Sequence, residues 1–325
     1  MRSFYAIPAW SESAVSWIGA NAAFSQAYTQ ETMYPTDEIL VLKRDAFPPE
    51  LLELPDPPEQ LWLRGAPLPV SLKRLAVVGS RALSPYGRQA CESLIAGLAG
   101  YPIVIISGLA LGADACAHKA ALAAGLPAIA VPGSGLGDRA LYPRANYALA
   151  GEILAAGGTL LSEHEPAHKA RAYDFPSRNR IMVGLADAVL VIEAGPKSGT
   201  LITARLASEY NRELLFIPHR IGDAHGFGAH LFLRMGAALA TEPKHLLEAL
   251  RITPDEPAGP KEAPELEGIE KQVWELLAEP KTRDELLRAG SVAGTPHSAS
   301  GLLTALIALE LRGLVCEQFG AWRRT

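Results

Sequence analysis

The stretch Leu75-Ala76-Val77-Val78-Gly79-Ser80-Arg81 joins a short apolar run to a glycine and serine turn, and the middle of the chain repeats this pattern. Further apolar runs lie at residues 103–106, 128–131, 188–192 and 214–217, and Ala- and Leu-rich stretches lie between them, at 86–99, 113–124, 146–156 and 201–210. Continuous apolar runs are typical of strands buried on both faces, and the intervening stretches are typical of covering helices. The sequence therefore predicts an α/β domain with a doubly wound, mainly parallel sheet.

Four of the predicted strands end in turns of glycine and serine. The turns are Gly79-Ser80-Arg81, Ser107-Gly108, Pro132-Gly133-Ser134-Gly135 and Gly195 to Gly199. Glycine lets a backbone approach an anion closely, and the N-terminus of the following helix adds N–H groups and a positive dipole end. Arg81 and Lys197 add a cation to two of these turns. The turns predict a phosphate-binding rim, although glycine and serine also make tight strand-to-helix turns without any ligand.

The run Phe175-Pro176-Ser177-Arg178-Asn179-Arg180 combines an aromatic ring with two arginines. Aromatic rings stack on bases, and guanidinium groups bind phosphates. The chain as a whole has a formal net charge of -5, but residues 73–252 carry 18 Lys and Arg against 14 Asp and Glu. We expect the run to contact a flexible polyanion, with Arg178 facing solvent and phosphate. Arg180 fits a buried structural cation equally well, and Phe175 fits a packing contact.

No motif for a cofactor, a metal or catalysis is recognised in the sequence. The turn after the first predicted strand is not the glycine pattern of dinucleotide-binding proteins, and no Walker lysine motif is present. Asp114 and His118 are explained more simply by a helix start and a packed histidine than by an acid–base dyad. Glu163-His164-Glu165 has no third ligand at a convincing spacing, and Glu193 belongs to no known pattern. We therefore expect no catalytic residue, no metal and no cofactor.

Composition divides the chain into four parts. The predicted parts are an acidic, short N-terminal helical segment (1–60), the α/β domain (61–252), a linker rich in Pro and Glu (253–265) and a small winged-helix-like domain (266–325). Trp10, Trp17 and Phe24 recur at a seven-residue spacing that fits one packed helix face. In the last part, helices are predicted at 269–277, 282–287 and 298–312, with a hairpin at 314–319 and 322–324.

The cysteine pattern and the lack of long apolar runs indicate where the protein is expected to act. The cysteines Cys91, Cys116 and Cys316 are few, odd in number and far apart, so neither a disulfide framework nor a zinc knuckle is expected. No apolar run approaches the roughly eighteen residues of a membrane span, and no leader-like segment begins the chain. We expect a cytosolic protein without membrane insertion.

Eight ordered motifs occur between about residues 60 and 242. They are Leu61-Trp62-Leu63-Arg64-Gly65; Val77 to Arg81 with Ser84-x-Tyr86-Gly87; Ser107 to Asp114 with Ala117-His118; Tyr142-Pro143; Ser162-Glu163; Phe175 to Ile181; Glu193-Ala194 with Ser198 to Ala204; and Gly236-Ala237. In this order they resemble the DNA-processing protein A family, also called DprA or Smf. Any one motif could arise by chance, but eight in order are specific.

The resemblance implies an extended Rossmann-like domain that binds single-stranded DNA without sequence preference. It further implies a homodimer that protects incoming strands and helps to load the RecA recombinase during natural transformation. Arg81 would hold phosphate, Phe175 would stack or pack near a base, and the Ser198 to Thr200 turn would donate hydrogen bonds. The implied DNA-binding residues are Gly79, Ser80, Arg81, Ser107, Gly108, Lys169, Arg171, Phe175, Arg178, Asn179, Arg180, Lys197, Ser198, Gly199 and Thr200.

Two other functions compete with DNA binding. Phosphoribohydrolases of the Lonely Guy type use a similar glycine-rich turn, but Thr203 stands where they have a glutamate. A scaffold that binds only proteins is the other alternative. A winged-helix domain would favour duplex DNA, yet residues 266–325 carry 7 Lys and Arg against 8 Asp and Glu. For this domain, a protein contact or regulatory role is at least as good an interpretation as weak duplex binding.

Overall fold

The computed structural model describes residues 38–69, 71–253, 266, 268–277, 279, 281–292, 299–312, 314–318 and 321–324. The chain divides into two compact units, Met1–Pro254 and Asp255–Thr325. The predicted aromatic face of Trp10, Trp17 and Phe24 and most of the predicted linker lie outside the described residues.

The first unit is built on one nine-stranded sheet. Its strands are β1 (Ile39–Lys43), β2 (Gln60–Gly65), β3 (Lys73–Val78), β4 (Ile103–Ser107), β5 (Ala128–Ala130), β6 (Thr159–Ser162), β7 (Ala188–Val191), β8 (Glu213–Phe216) and β9 (Ala238–Leu239). Their order across the sheet is β1-β2-β6-β5-β4-β3-β7-β8-β9. Only the pairs of β2 with β1 and with β6 are antiparallel. The predicted mainly parallel sheet is confirmed.

Helices cover both faces of this sheet. They are α1 (Pro49–Leu52), α2 (Pro85–Ala96), α3 (Ala113–Ala123), α4 (Tyr147–Ala155), α5 (Asp174–Leu185), α6 (Thr200–Glu209), α7 (Phe227–Leu233) and α8 (Pro243–Ala249). Alternate residues of β3 enter two separate cores, because successive side chains of a strand point to opposite faces. Leu75 and Val77 pack in the core that contains residues of α2, α3 and α4, whereas Ala76 and Val78 pack in the core that contains residues of α5, α6 and α7. The sheet is therefore doubly wound.

The strand order reverses at β3. From β3 the chain proceeds outward through β4, β5 and β6 on one side, and later through β7, β8 and β9 on the other. Ligands of open α/β sheets bind in the crevice beyond the carboxyl ends of the strands at such a reversal. The turns that follow β3 and β7, which begin at Gly79 and Ile192, meet at this crevice.

The predicted helical character of residues 1–60 is wrong for one described stretch. Residues Ile39–Lys43 form the edge strand β1, in which Ile39 pairs with Arg64 and Lys43 with Gln60 of β2. The apolar run Ile39-Leu40-Val41-Leu42 suits an edge strand, since β-branched and other apolar residues fit a half-buried pleated surface. The sheet therefore extends on the N-terminal side of residue 61.

The described residues of the second unit form three helices and a three-stranded sheet. Its elements are α9 (Gly268–Leu276), β10 (Lys281–Thr282), α10 (Arg283–Val292), α11 (Ala299–Leu311), β11 (Val315–Gln318) and β12 (Ala321–Arg324). Val273, Leu302, Leu306 and Trp322 pack in one small core. The predicted helices and hairpin are confirmed, and the winged-helix classification stays a prediction.

Candidate nucleic-acid interface

A groove of about 910 Å³ opens at the reversal of strand order. Much of its lining comes from three stretches: Gly79 to Ala82 after β3, Gly195 to Thr200 after β7, and Phe175, Arg178, Asn179 and Met182 on one face of α5. The structure thus brings the turn after β3 next to two stretches that lie about a hundred residues further along the chain. These stretches contain ten of the residues that were expected to bind DNA: Gly79, Ser80, Arg81, Phe175, Arg178, Asn179, Lys197, Ser198, Gly199 and Thr200.

The Phe175 to Arg180 run is the start of a helix. Helix α5 begins at Asp174, and Pro176 falls in its first turn, where the missing N–H costs nothing. Phe175, Arg178, Asn179 and Met182 follow the spacing i, i+3, i+4, i+7, which places them on one helix face. That face lines the groove. Arg180 is five residues after Phe175 and points away from this face, because a helix turns about 100° per residue.

Phe175 supports the exposed cation of the groove. The guanidinium carbon of Arg81 lies 4.8 Å from the centre of the Phe175 ring, and the ring of Tyr142 lies 5.9 Å from it on another side. The backbone of Gly133 also packs closely on the ring, since a Cβ added at Gly133 would lie 2.8 Å from Phe175 Cδ1. Phe175 is half-buried and Arg81 is exposed. The ring therefore both packs and holds Arg81 at the groove.

Arg178 lies in the floor of the groove, and the prediction that it faces solvent is wrong. It is 5% exposed, and its Nη1 donates a hydrogen bond of 2.7 Å to the carbonyl oxygen of Gly108. Only glycine fits at position 108 without displacing Arg178, because an added Cβ would meet its guanidinium group. Burial lowers the pKa of Arg178 to about 10, although the Asp114 carboxylate acts in the opposite direction. Arg178 remains charged at neutral pH.

Asp114 is the matching buried anion, and it clamps the turn after β4. Its Oδ2 accepts hydrogen bonds from the N–H groups of Gly108 (3.1 Å) and Ala110 (3.3 Å). Burial raises the pKa of Asp114, while the charge of Arg178 and these two bonds act against that rise. Further along the same helix, His118 is fully buried, and burial lowers its pKa to about 3. The expected packed histidine is thus observed, whereas Asp114 holds a loop and is not the cap of α3.

Arg180 has a structural role, because it forms ion pairs outside the groove. Its Nη2 forms an ion pair with Glu163, its Nε lies 3.5 Å from an Asp56 carboxylate oxygen, and its side chain is 13% exposed. It does not line the groove. Of the two roles that the sequence left open for Arg180, the structural one fits these contacts.

Four other predicted residues lie outside the groove. Ser107 is fully buried and donates a hydrogen bond of 2.6 Å to the carbonyl oxygen of Val77. Gly108 borders a smaller cavity beside Arg81 and Phe175. Lys169 and Arg171 are exposed on the connection between β6 and α5, and Arg171 donates a hydrogen bond of 2.6 Å to the Tyr173 hydroxyl. The two cations therefore stand beside the groove and not in it.

The turn after β7 is ordered by its own side chains. Ser198 Oγ accepts a hydrogen bond of 3.2 Å from the Thr200 N–H and donates one of 2.9 Å to Thr200 Oγ1. Helix α6 begins at Thr200, so its positive dipole end opens into the groove. Lys197 is exposed at the same turn.

His225 lines the groove, and sequence reasoning missed it. Its Nδ1 lies 3.1 Å from Oε2 of the buried Glu193, which also accepts hydrogen bonds from the N–H and hydroxyl groups of Ser84 at the start of α2. No local motif marks His225, because the loop that carries it follows β8 and reaches the groove only through the sheet order.

The described lining of the groove is positive. It includes the cations Arg81, Arg178 and Lys197 and a single carboxylate, Asp114, which is already hydrogen-bonded. Thr203 also lines the groove and is buried. A polyanion would therefore meet net positive charge and helix N-termini here.

The prediction that no segment spans a membrane can be tested only on the described helices. None of them combines the length and the apolar character that crossing a bilayer requires.

Comparison with known proteins identifies the family. The family described as DNA recombination-mediator protein A matches residues 38–251. The protein Smf of Escherichia coli (strain K12) is 38% identical over 297 residues, which cover 89% of this chain and 78% of that protein. The DNA processing protein DprA of Streptococcus pneumoniae (strain ATCC BAA-255 / R6) is 40% identical over 203 residues, covering 62% of this chain and 71% of that protein.

Solved structures agree with the sequence matches. The crystal structure of DprA from Streptococcus pneumoniae superposes with a TM-score of 0.61 at 36% identity, covering 70% of this chain and 77% of that one. DprA from Helicobacter pylori, whose structure was described for its single-stranded DNA binding mode, gives a TM-score of 0.58 at 28% identity, covering 66% and 96%. With the motifs, the doubly wound sheet and these matches in agreement, the chain belongs to the DNA recombination-mediator protein A family.

Proposed function

We propose that this protein binds single-stranded DNA in the groove between β3 and β7, without sequence preference. The observation that carries the proposal is the pairing of exposed Arg81 with the Phe175 ring at 4.8 Å, in the groove that also receives Lys197 and the N-terminus of α6. Arg81 and Lys197 supply charge for phosphates, and backbone N–H groups bind phosphates without reading bases. A flexible single strand can bend to follow such a groove.

The lining favours sequence independence. Asn179 is the one side-chain amide among the described lining residues, and its Oδ1 already accepts a hydrogen bond of 3.2 Å from Arg178 Nε. Reading a base requires free donors and acceptors at its edge. The Asp114 carboxylate already accepts two backbone hydrogen bonds, and His225 lies 3.1 Å from Glu193. Most other lining groups are cations, glycines, hydroxyls and apolar side chains, which match the backbone and the faces of any base.

The phosphoribohydrolase alternative finds little support in the groove. Thr203 stands where that reaction would need a carboxylate, and Asp114 is buried and already bound to two backbone N–H groups. A general acid or base must reach the reacting group within hydrogen-bond distance. We therefore propose a binding protein that is not an enzyme.

The wider role that we propose follows the family. A homodimer in the cytosol would protect incoming single strands and help to load the RecA recombinase in natural transformation and recombination. For the unit Asp255–Thr325 we propose a protein contact or weak duplex binding. Residues 266–325 carry 7 Lys and Arg against 8 Asp and Glu, and this balance does not favour a strong electrostatic interaction with DNA.

The test is fluorescence anisotropy with a labelled oligo-dT, with its duplex and with a mixed-sequence single strand. We expect both single strands to bind alike, more tightly than the duplex, and with an affinity that falls steeply as salt increases. A parallel assay follows release of adenine from a nucleoside monophosphate by chromatography. Adenine release at ordinary enzyme turnover, together with no oligonucleotide binding, would require the DNA interpretation to be abandoned.

A separate measurement tests the partner proposal. RecA would be added to single strands coated with single-strand-binding protein, and its DNA-dependent ATP hydrolysis would be followed with and without this protein. We expect a shorter lag when the protein is present. An unchanged lag at saturating protein would remove the loading role while leaving DNA binding intact.

A further inference from the structure

Three metal-ligating side chains meet beside the base of α5, outside the groove. They are His164 and His168 on the connection after β6, and Asp174, the first residue of α5. One ligand atom from each lies within 4.8 Å of the others. The sequence predicts no metal site here because Glu163-His164-Glu165 lacks a third ligand nearby in the sequence. The fold brings His168 and Asp174, which lie four and ten residues after His164, close to the His164 side chain.

The distances are close to those of a tetrahedral metal site. His168 Nε2 lies 2.8 Å from Asp174 Oδ2, and His164 Nε2 lies 3.7 Å from Asp174 Oδ1. Two ligand atoms bound to one zinc ion at about 2.1 Å, with a tetrahedral angle between them, are about 3.4 Å apart. These two separations are to different oxygens of Asp174 and lie on either side of this value, and one ligand atom from each residue lies within 4.8 Å of the others. Rotation of the side chains would bring one atom from each residue to a common ion.

Hydrogen bonds order the backbone at both histidines and the side chain of Asp174. The His164 N–H donates a hydrogen bond of 3.0 Å to Ser162 Oγ, and the His168 carbonyl accepts one of 2.9 Å from the Gly135 N–H. Asp174 is 1% exposed, and its Oδ2 accepts a hydrogen bond of 2.7 Å from the Arg171 N–H. The imidazole rings of the two histidines stack with their centres 4.2 Å apart. A ligand set held in this way pays little ordering cost when it binds an ion.

The chemistry of the donors determines the class of ion. Imidazole nitrogen suits zinc and neighbouring transition metals, whereas magnesium and calcium prefer oxygen ligands only. Two histidines and one carboxylate match the protein ligands of known three-ligand zinc sites, in which water takes the fourth position. Both histidines are partly exposed, which leaves a path for the ion and room for that water.

We infer that His164, His168 and Asp174 form a binding site for Zn²⁺ or a similar divalent transition-metal ion. The bound ion would link the connection after β6 to the first turn of α5, next to Phe175. It would therefore stabilise the helix that forms one wall of the groove. The inference stands independently of DNA binding, because none of the three residues lines the groove.

The experiment measures binding of Zn²⁺ to the untagged full-length chain at about pH 7.5. Protein freed of metal by a chelator would be titrated with Zn²⁺ by calorimetry, and Co²⁺ would report tetrahedral coordination by its visible absorption. We expect Asp174→Asn and His168→Ala each to weaken Zn²⁺ binding by at least roughly tenfold, because even loss of a group that only supports a metal ligand costs about 10–100-fold in affinity. His245→Ala is the matched control, since His245 is a half-buried histidine paired with Glu242 on another helix.

Folding is checked separately, by far-ultraviolet circular dichroism of every variant. Asp174→Asn keeps the shape and the oxygen acceptor of the native side chain, so it remains informative if His168→Ala does not fold. Zn²⁺ should raise the melting temperature of the native chain and of His245→Ala but not that of Asp174→Asn. Equal Zn²⁺ affinity in the native chain and Asp174→Asn would overturn the site, and Mg²⁺ binding that Asp174→Asn abolishes would overturn the assigned class of ion.

Discussion

Replacing Arg81 by alanine removes the exposed cation of the groove with little change to the fold. The only described contact of its guanidinium group is the Phe175 ring, and an exposed cation–π contact contributes about 0.5–1 kcal/mol. Each phosphate contact to a single strand contributes about 0.7 to the slope of log affinity against log salt. Over the tenfold range from about 1 M to 0.1 M salt, one lost contact corresponds to about fivefold weaker binding at the lower concentration.

The assay is anisotropy of labelled oligo-dT at four or five salt concentrations. For Arg81→Ala we expect a slope smaller by about 0.7 and an affinity that converges with that of the native protein near 1 M salt. Arg81→Lys should keep the slope, because lysine retains the charge. Arg205→Ala is the matched control, since Arg205 is exposed on α6 but lies outside the groove. An unchanged slope in Arg81→Ala, or an equal change in Arg205→Ala, would refute the assigned role.

Three further predictions concern two residues of the groove, Phe175 and Arg178, and the buried His118. Phe175→Leu should weaken oligo-dT binding by about 1 kcal/mol, equally at low and high salt, because stacking releases no counterions; an abasic oligonucleotide that shows the same loss would contradict stacking. Arg178→Met should lower the free energy of unfolding in urea by about 1–3 kcal/mol, because it leaves the Gly108 carbonyl without its donor and removes a charge that opposes the burial penalty of Asp114, and adding Asp114→Asn should restore part of the loss. The neutral, buried His118 has a pKa of about 3, below the unfolded value of 6.5, so protonation favours unfolding as pH falls below 6.5. Between pH 8 and pH 5 it should cost about 2 kcal/mol of stability, and His118→Leu should remove that part of the pH dependence; an unchanged pH dependence would show that His118 is not the group responsible.

The strands of the parallel sheet were predictable because each is a continuous apolar run. Leu75 to Val78 and Ala188 to Val191 are buried on both faces, so their sequence needs no alternation to be recognised. Strand β6 was not predicted, because its apolar run is only Leu160 and Leu161, between the polar Thr159 and Ser162. Edge strand β1 lies in the segment that was predicted to be helical from the seven-residue spacing of Trp10, Trp17 and Phe24. Short and edge strands take their structure from the strands they pair with, which local sequence does not reveal.

The sequence predicted which motifs form the site, but not how their side chains are arranged. Gly79 to Arg81 and Lys197 to Thr200 follow strand ends, so the general rule for α/β sheets places them at one crevice. Arg178 and Arg180 are two residues apart and of one type, yet one forms the groove floor and the other pairs with Glu163. Their separation follows from the helical period of α5, and a proline near its start concealed that helix. His225 joins the groove through sheet order alone.

The bond between Arg178 and the Gly108 carbonyl has a consequence for how this groove can change. A side chain at position 108 would displace the guanidinium, and a smaller residue at 178 would strand the Asp114 carboxylate. The floor can therefore be altered only by coordinated substitutions, whereas Arg81 and Lys197 stand in solvent and can be exchanged one at a time. Single substitutions at Arg81 or Lys197 can therefore adjust the affinity for nucleic acid in small steps, whereas Gly108, Asp114 and Arg178 are expected to change together.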